Sequence, residues 1–254
     1  MARTAAGTLP HMPTVEGAGV PIAYAERGEG PPVLLVHGLA SDAMGLERLV
    51  AELSAGARVI AYDRRGYGGS GAPEPYEGTT VEEQAEDAAA LLHAVVAAPA
   101  VVVGDGFGAL VALDLMKRHG RLVRAAVLSS PPLFAMVPEA TEVLSAQRAE
   151  IDEAIRAGGR EAGVEAWLGG RAEGDALARA RAAHRAFFAD YAGLATWAVT
   201  RRELRALTAP AVVVTGPSSP PHVLAAADAL GGLLPGATRA VDGDVVAAVR
   251  SVLP

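Results

Sequence analysis

The sequence predicts a doubly wound, mostly parallel α/β sheet with a helical cap inserted after the sixth core strand. Three observations carry this. Short β-branched runs bounded by Gly or Pro alternate with helical patterns, which is the signature of βαβ units. One long block, Leu133 to about Leu207, has no strand pattern and reads as Ala-, Glu- and Arg-rich helices. About half of the 254 residues are apolar (51%), enough for a sheet covered on both faces.

The elements follow in order. VPIAYAE (Val20 to Glu26) alternates and predicts an antiparallel edge strand. PVLLVHG (Pro32 to Gly38), ARVIAYD (Ala57 to Asp63), AVVVGDG (Ala100 to Gly106), RAAVLSS (Arg124 to Ser130) and APAVVVTG (Ala209 to Gly216) read as buried parallel strands. GATRAVDG (Gly236 to Gly243) is a weaker strand pattern. Helical patterns cover Glu47 to Leu53, Val81 to Val96, Ala109 to His119, Pro221 to Leu233 and Asp244 to Val252. Thr80 and Glu83 form a capping box for the second of these. In the Leu133–Leu207 block, the pairs Gly158–Gly159 and Gly169–Gly170 break the helices. The resulting division is core over 1–132, cap over 133–207 and core again over 208–254. The first 15 or so residues are expected to be loose.

Composition narrows the function classes. The formal charge of −7 and the lack of a basic tract argue against a nucleic-acid partner. No run of about 18 apolar residues occurs, so no membrane partner is expected. The N-terminal stretch lacks the apolar core of a signal peptide. The chain has no Cys, which excludes disulfides, thiolate metal sites and a Cys nucleophile, and suits a cytoplasmic location. Abundant Ala, Gly and Arg match usage in GC-rich bacterial genomes. The expected partner is a small-molecule substrate, with no cofactor and no metal; a homodimer stays open.

VHGLA (Val36 to Ala40), YDRRGYGGS (Tyr62 to Ser70) and GDGFGA (Gly104 to Ala109) stand in order ahead of the cap. With that arrangement the chain resembles the α/β-hydrolase family over roughly Pro21 to Pro254, most closely from Pro31 to Ser130. A dinucleotide-binding reading of GDGFGA fails, because it does not lie in the first βα turn and no suitable acidic residue ends the following strand.

The resemblance implies a nucleophile on a strand-to-helix elbow, a His to take its proton and an acid to hold the His. Each family position holds something else here. Gly106 occupies the nucleophile's place, Ser219 the acid's, and no His follows His222. Asp242 and Asp244 lie where the His loop belongs, and that loop is short. Asp105, one residue before the elbow position, is expected to point away from the mouth as a hydrogen-bonding residue under the elbow. The resemblance also implies an oxyanion hole, whose two backbone N–H donors map to Leu39 and Phe107 and do not depend on side-chain identity. A Gly at position 106 takes up the positive φ of an elbow without strain and clears space above it.

Other polar groups are candidates for moving a proton or holding substrate. His222 follows the strand that ought to carry the acid; it is either near the mouth or a solvated helix-start residue. His184 lies in the cap on one face with Phe188. His37 precedes the oxyanion loop and either shapes it or meets substrate. His93 and His119 read as helix residues, His11 as tail, and Asp63 as a structural residue of its loop. Trp167, Phe187, Phe188, Tyr191 and Trp197 put five of the chain's eleven aromatics in the cap, followed by Arg201 and Arg202. They form either the seam between cap and core or a lid, with Trp197 and Arg201 reaching a pocket and Tyr191 a further proton carrier.

Three functions fit this pattern. The leading expectation is a non-hydrolytic enzyme of bacterial natural-product biosynthesis. It would form carbon–carbon bonds or cyclise a polyketide-derived polycyclic substrate by Michael-type addition, using the oxyanion hole and a proton shuttle such as His222, His184 or Tyr191. The second is a catalytically inactive, ligand-binding pseudo-hydrolase. The third is a hydrolase with relocated catalytic residues.

Overall fold

The computed structural model describes residues 12–138 and 140–254. His11 and most of the expected loose tail lie outside these residues.

Eight strands form one sheet: β1 (Thr14–Glu16), β2 (Pro21–Arg27), β3 (Pro32–Val36), β4 (Arg58–Tyr62), β5 (Ala100–Asp105), β6 (Val123–Ser129), β7 (Ala211–Val214) and β8 (Thr238–Ala240). Their spatial order is β1-β2-β4-β3-β5-β6-β7-β8. The β1–β2 and β2–β4 pairs are antiparallel, and the remaining pairs are parallel. β2 is antiparallel as expected but is not an edge, because Thr14–Glu16 pairs outside it.

Side-chain alternation makes the two layers. Leu34, Val36 and Val102 face a cluster formed with α2 (Val81–Ala94), α3 (Phe107–Arg118) and α8 (Pro221–Leu233). Val33, Leu35, Val101 and Val103 face the other side, against α1 (Glu47–Leu53) and α9 (Val245–Val252). Buried on both faces, these central strands are continuous Val and Leu runs.

Between β6 and β7 the chain leaves the sheet. It forms α4 (Ala140–Leu168), α5 (Gly174–Ala182), α6 (His184–Thr196) and α7 (Arg201–Arg205). α4 is two helices meeting at a kink, where Gly159 takes φ 81° and ψ −176°. This cap lies over the C-terminal ends of the strands, where sheets of this type hold their sites.

Candidate active site

β5 ends in a turn so tight that two glycines are required beside it. A Cβ on Gly104 would overlap the Gly108 carbonyl oxygen, and one on Gly108 would overlap that of Val36. Gly106 stands between strand and helix with φ 50° and ψ −114°, a conformation that L side chains rarely adopt. A Cβ on Gly106 would meet only the Gly38 Cα, at 4.0 Å, so open space lies above the elbow. As the first residue of α3, Phe107 has an N–H with no acceptor inside the helix.

The loop after β3 faces this elbow and is fastened from below. Arg64, completely buried, donates from Nε to the His37 carbonyl (2.9 Å) and from Nη2 to the Gly38 carbonyl (2.9 Å). Its Nη1 reaches Gln84 Oε1 (2.6 Å) and Asp190 Oδ2 (2.7 Å), the latter on cap helix α6. Gln84 Nε2 and the Tyr67 hydroxyl also donate to Asp190, at 2.6 and 2.8 Å. Burial pushes the Arg64 guanidinium's pKa down, but the Asp190 carboxylate more than restores it, so Arg64 stays charged. With both carbonyls held inward, Leu39 is presented on the cavity wall.

His37 is completely buried beneath this loop and does not reach the cavity. Its Nε2 accepts the Arg64 backbone N–H at 3.0 Å, and its Nδ1 lies 2.9 Å from the Gly38 carbonyl, which places the proton on Nδ1. Burial, then the Arg64 charge, hold its pKa well below the usual value, so His37 is a neutral structural residue.

Between cap and core lies a cavity of about 1630 Å³ that opens to solvent. Its floor includes Leu39, Gly106, Phe107 and, unexpectedly, Asp105. Asp105 follows Val101 and Val103 on the same face of β5, past the last residue the helices cover. It is open to the cavity yet set deep in the protein. Strand register puts Asp105 opposite Ser129, and the Ser129 hydroxyl donates to Asp105 Oδ1 at 2.9 Å. Burial raises the Asp105 pKa from its ordinary value, and the Ser129 hydrogen bond opposes that rise. The carboxylate rests against Gly38, where a Cβ would come within 3.2 Å of Oδ2. The expectation that Asp105 points away from the mouth is therefore corrected; its hydrogen-bonding role is present.

The other expected residues divide in two. His222, Tyr191 and Trp197 line the cavity with Leu39, Gly106 and Phe107. His222 sits in the first turn of α8 with its ring 5.3 Å from that of Phe134. Tyr191 has its pKa raised by burial, against the opposing Arg148 charge, so its phenol remains protonated at neutral pH. Trp197 is anchored by its indole N–H to Asp114 at 3.2 Å. His184 and Arg201 are off the cavity wall. His184 Nδ1 lies against the Arg181 carbonyl at 3.1 Å, and Arg201 is exposed on the first turn of α7, so neither reaches a substrate in the cavity.

The residues that stand where the resemblance places the acid and the His make local backbone contacts. The Ser219 hydroxyl accepts the Gly216 N–H (3.1 Å) and closes the turn after β7. Asp244 caps α9 by accepting the Ala247 N–H (2.8 Å), while Asp242 accepts the Asp244 N–H (3.0 Å). Among the described residues no group of three or more His, Asp or Glu is arranged to hold a metal. No helix among them is long and apolar enough to cross a membrane.

This sheet, cap and elbow define the class: residues 31–223 match the family model described as alpha/beta hydrolase fold, and the chain belongs to that family. Among its relatives is the uncharacterized hydrolase YraK of Bacillus subtilis, 36% identical over 49% of this chain and 46% of that protein. Another is 2-(acetamidomethylene)succinate hydrolase of Mesorhizobium japonicum, 33% identical over 58% of this chain and 50% of that protein. The chain thus matches about half the length of these relatives. A solved alpha/beta hydrolase from Sphaerobacter thermophilus is similar along nearly the whole fold: 27% identical, 90% of this chain, 91% of that chain, TM-score 0.69.

These relatives overturn the expectation of a cyclase or carbon–carbon bond-forming enzyme of natural-product biosynthesis. Those relatives carry hydrolase names, not cyclase names.

Proposed function

We propose that this chain is a hydrolase of carboxylic esters or lactones that works without the family's Ser-His-Asp triad, its water-activating group relocated to Asp105. One observation carries the reading. The Asp105 carboxyl opens into the cavity, against Gly38 and next to the cleared space over Gly106.

In this scheme a water molecule takes the space that the nucleophile's side chain fills in triad enzymes. Asp105 accepts a proton from that water as its oxygen bonds to the acyl carbon. The carbonyl oxygen becomes an oxyanion, held by the N–H groups of Leu39 and Phe107. When the C–O bond to the leaving group breaks, the proton passes from Asp105 to the departing alkoxide. A carboxyl pKa raised by burial suits this work, because a carboxylate of higher pKa is a stronger base. The hydrolase names of the relatives support the reaction class.

The test pairs turnover with labelling. Hydrolysis of p-nitrophenyl butyrate is expected, together with silence toward a fluorophosphonate probe. Asp105→Asn is expected to lower kcat by about 10²- to 10⁴-fold. Covalent labelling of Ser129, Ser130 or Ser219 would instead show a serine route. Absence of turnover on a panel of esters and lactones would leave a ligand-binding pseudo-hydrolase.

A further inference from the structure

The cavity wall carries three arginines and two aspartates, and most of these charges are already answered. Arg179 pairs with Asp42 at 2.6 Å, and Arg148 with Asp152 at 3.1 Å. Asp105 is the unpaired carboxylate on the floor. Arg171, on the cap side, has no carboxylate within salt-bridge distance among the described residues.

Arg171 is nonetheless held firmly. Its Nε donates to the Leu168 carbonyl at 2.7 Å, and Nη2 donates to the Trp167 carbonyl. The guanidinium lies over the Trp167 ring, 4.3 Å from its centroid. This fixes the plane of the fork and still leaves the Nη1 hydrogens and one on Nη2 free. Trp167 and Leu168 pack with Leu39 and Ala40, so the fork stands on the cap wall above the loop that carries Leu39. Partial burial lowers its pKa, while the residue keeps enough exposed surface to meet a ligand. A preorganised planar fork over an indole is suited to a carboxylate, which it meets with two parallel hydrogen bonds.

We infer that Arg171 is a substrate-binding residue that selects a carboxylate carried on an otherwise apolar ligand. That the ligand is a substrate to be hydrolysed rests on the hydrolytic reading above; that it is an anion rests on Arg171 alone.

Binding can be read without turnover. The chain has two tryptophans, Trp167 and Trp197, and both line the cavity. In a Trp197→Phe background, Trp167 fluorescence reports directly beneath Arg171. Titration with hexanoate is expected to shift that emission with a Kd about tenfold or more below that of hexanamide. Arg171→Gln is expected to abolish the preference. Arg171→Lys, which keeps the charge and loses the fork, should retain only part of it. Far-UV circular dichroism checks that each variant is folded. Equal binding of acid and amide, or a preference surviving in Arg171→Gln, would overturn the inference. A protein that selects hexanoate through Arg171 yet leaves every ester intact would keep this inference and lose the hydrolytic reading. One that hydrolyses neutral esters without favouring carboxylates would do the reverse.

Discussion

Asp105 carries a cost in the folded protein that Asn would not. Its folded pKa lies above the unfolded value because burial disfavours the charged form. The native state therefore binds a proton more tightly than the unfolded chain, and stability falls as pH rises from the unfolded pKa through the folded one. Below the unfolded pKa, about 4, this cost is absent. Asp105→Asn should thus raise the urea midpoint at pH 7.5, and the gain should shrink toward zero as the pH drops to about 4. Activity should move oppositely, rising with pH through the raised pKa as the carboxylate forms, and Asp105→Asn should remove that limb of the profile. A variant no more stable than the parent at pH 7.5 would mean that the carboxyl carries no such burial cost. Sequence alternation places Asp105 on one face with Val101 and Val103, and that much is legible. Where the helices stop covering that face is a tertiary fact, and it decides whether Asp105 is buried packing or cavity floor. His37 shows the converse: its place before the loop is legible, but not that Arg64 closes it in from the other side.

The strand–turn–helix of the elbow separates glycines needed for packing from the one that clears a site. A methyl on Gly108 meets the backbone of β3, which cannot give, so Gly108→Ala should cost about 1–3 kcal/mol or more through overpacking. Gly106→Ser has open space, and its cost is limited to backbone strain of about 1–3 kcal/mol. Chemical denaturation measures both losses; a Gly108→Ala variant as stable as the parent would mean that the elbow does not press on β3. At this scale the sequence reads well where a local signal is strong. The capping box at Thr80 and Glu83 starts α2 as expected, and Pro221 at the first turn starts α8. β1 escapes because the three residues of TVE are too few to show alternation, and only its pairing with Pro21–Ala23 makes it a strand. The glycine at the strand-to-helix turn, Gly106, is legible from the sequence alone. Arg171 is not, because nothing local marks it as the cation left unpaired.

At the scale of the whole molecule, one buried ion pair joins the cap to the loop it covers. Asp190 comes from the cap, whereas Arg64, Gln84 and Tyr67 come from the core; Asp190 lies more than 100 positions from each of the three, so no sequence pattern announces the cluster. A buried pair is costly to assemble, and its net worth against apolar residues is small. Breaking it is different, since Asp190→Ala leaves the Arg64 charge buried without its counter-ion. That single change should cost about 3–5 kcal/mol. Replacing both, with Arg64→Met and Asp190→Leu, should cost less than the sum of the single changes by about 0.5–3 kcal/mol. The remainder of the loss reflects the His37 and Gly38 carbonyls, which lose their donor. Both tryptophans lie in the cap segment, so their fluorescence follows the cap, while far-UV circular dichroism follows the whole fold. In the parent protein the two urea transitions should coincide, as for one cooperative unit. In Asp190→Ala the fluorescence transition should come first, the cap loosening before the sheet unfolds. Because Arg64 also fixes the loop bearing Leu39, ester turnover should fall in this variant at urea concentrations where the dichroism is still native. Coincident transitions at the parental midpoint would show that the Asp190 contacts are not what holds the cap to the core.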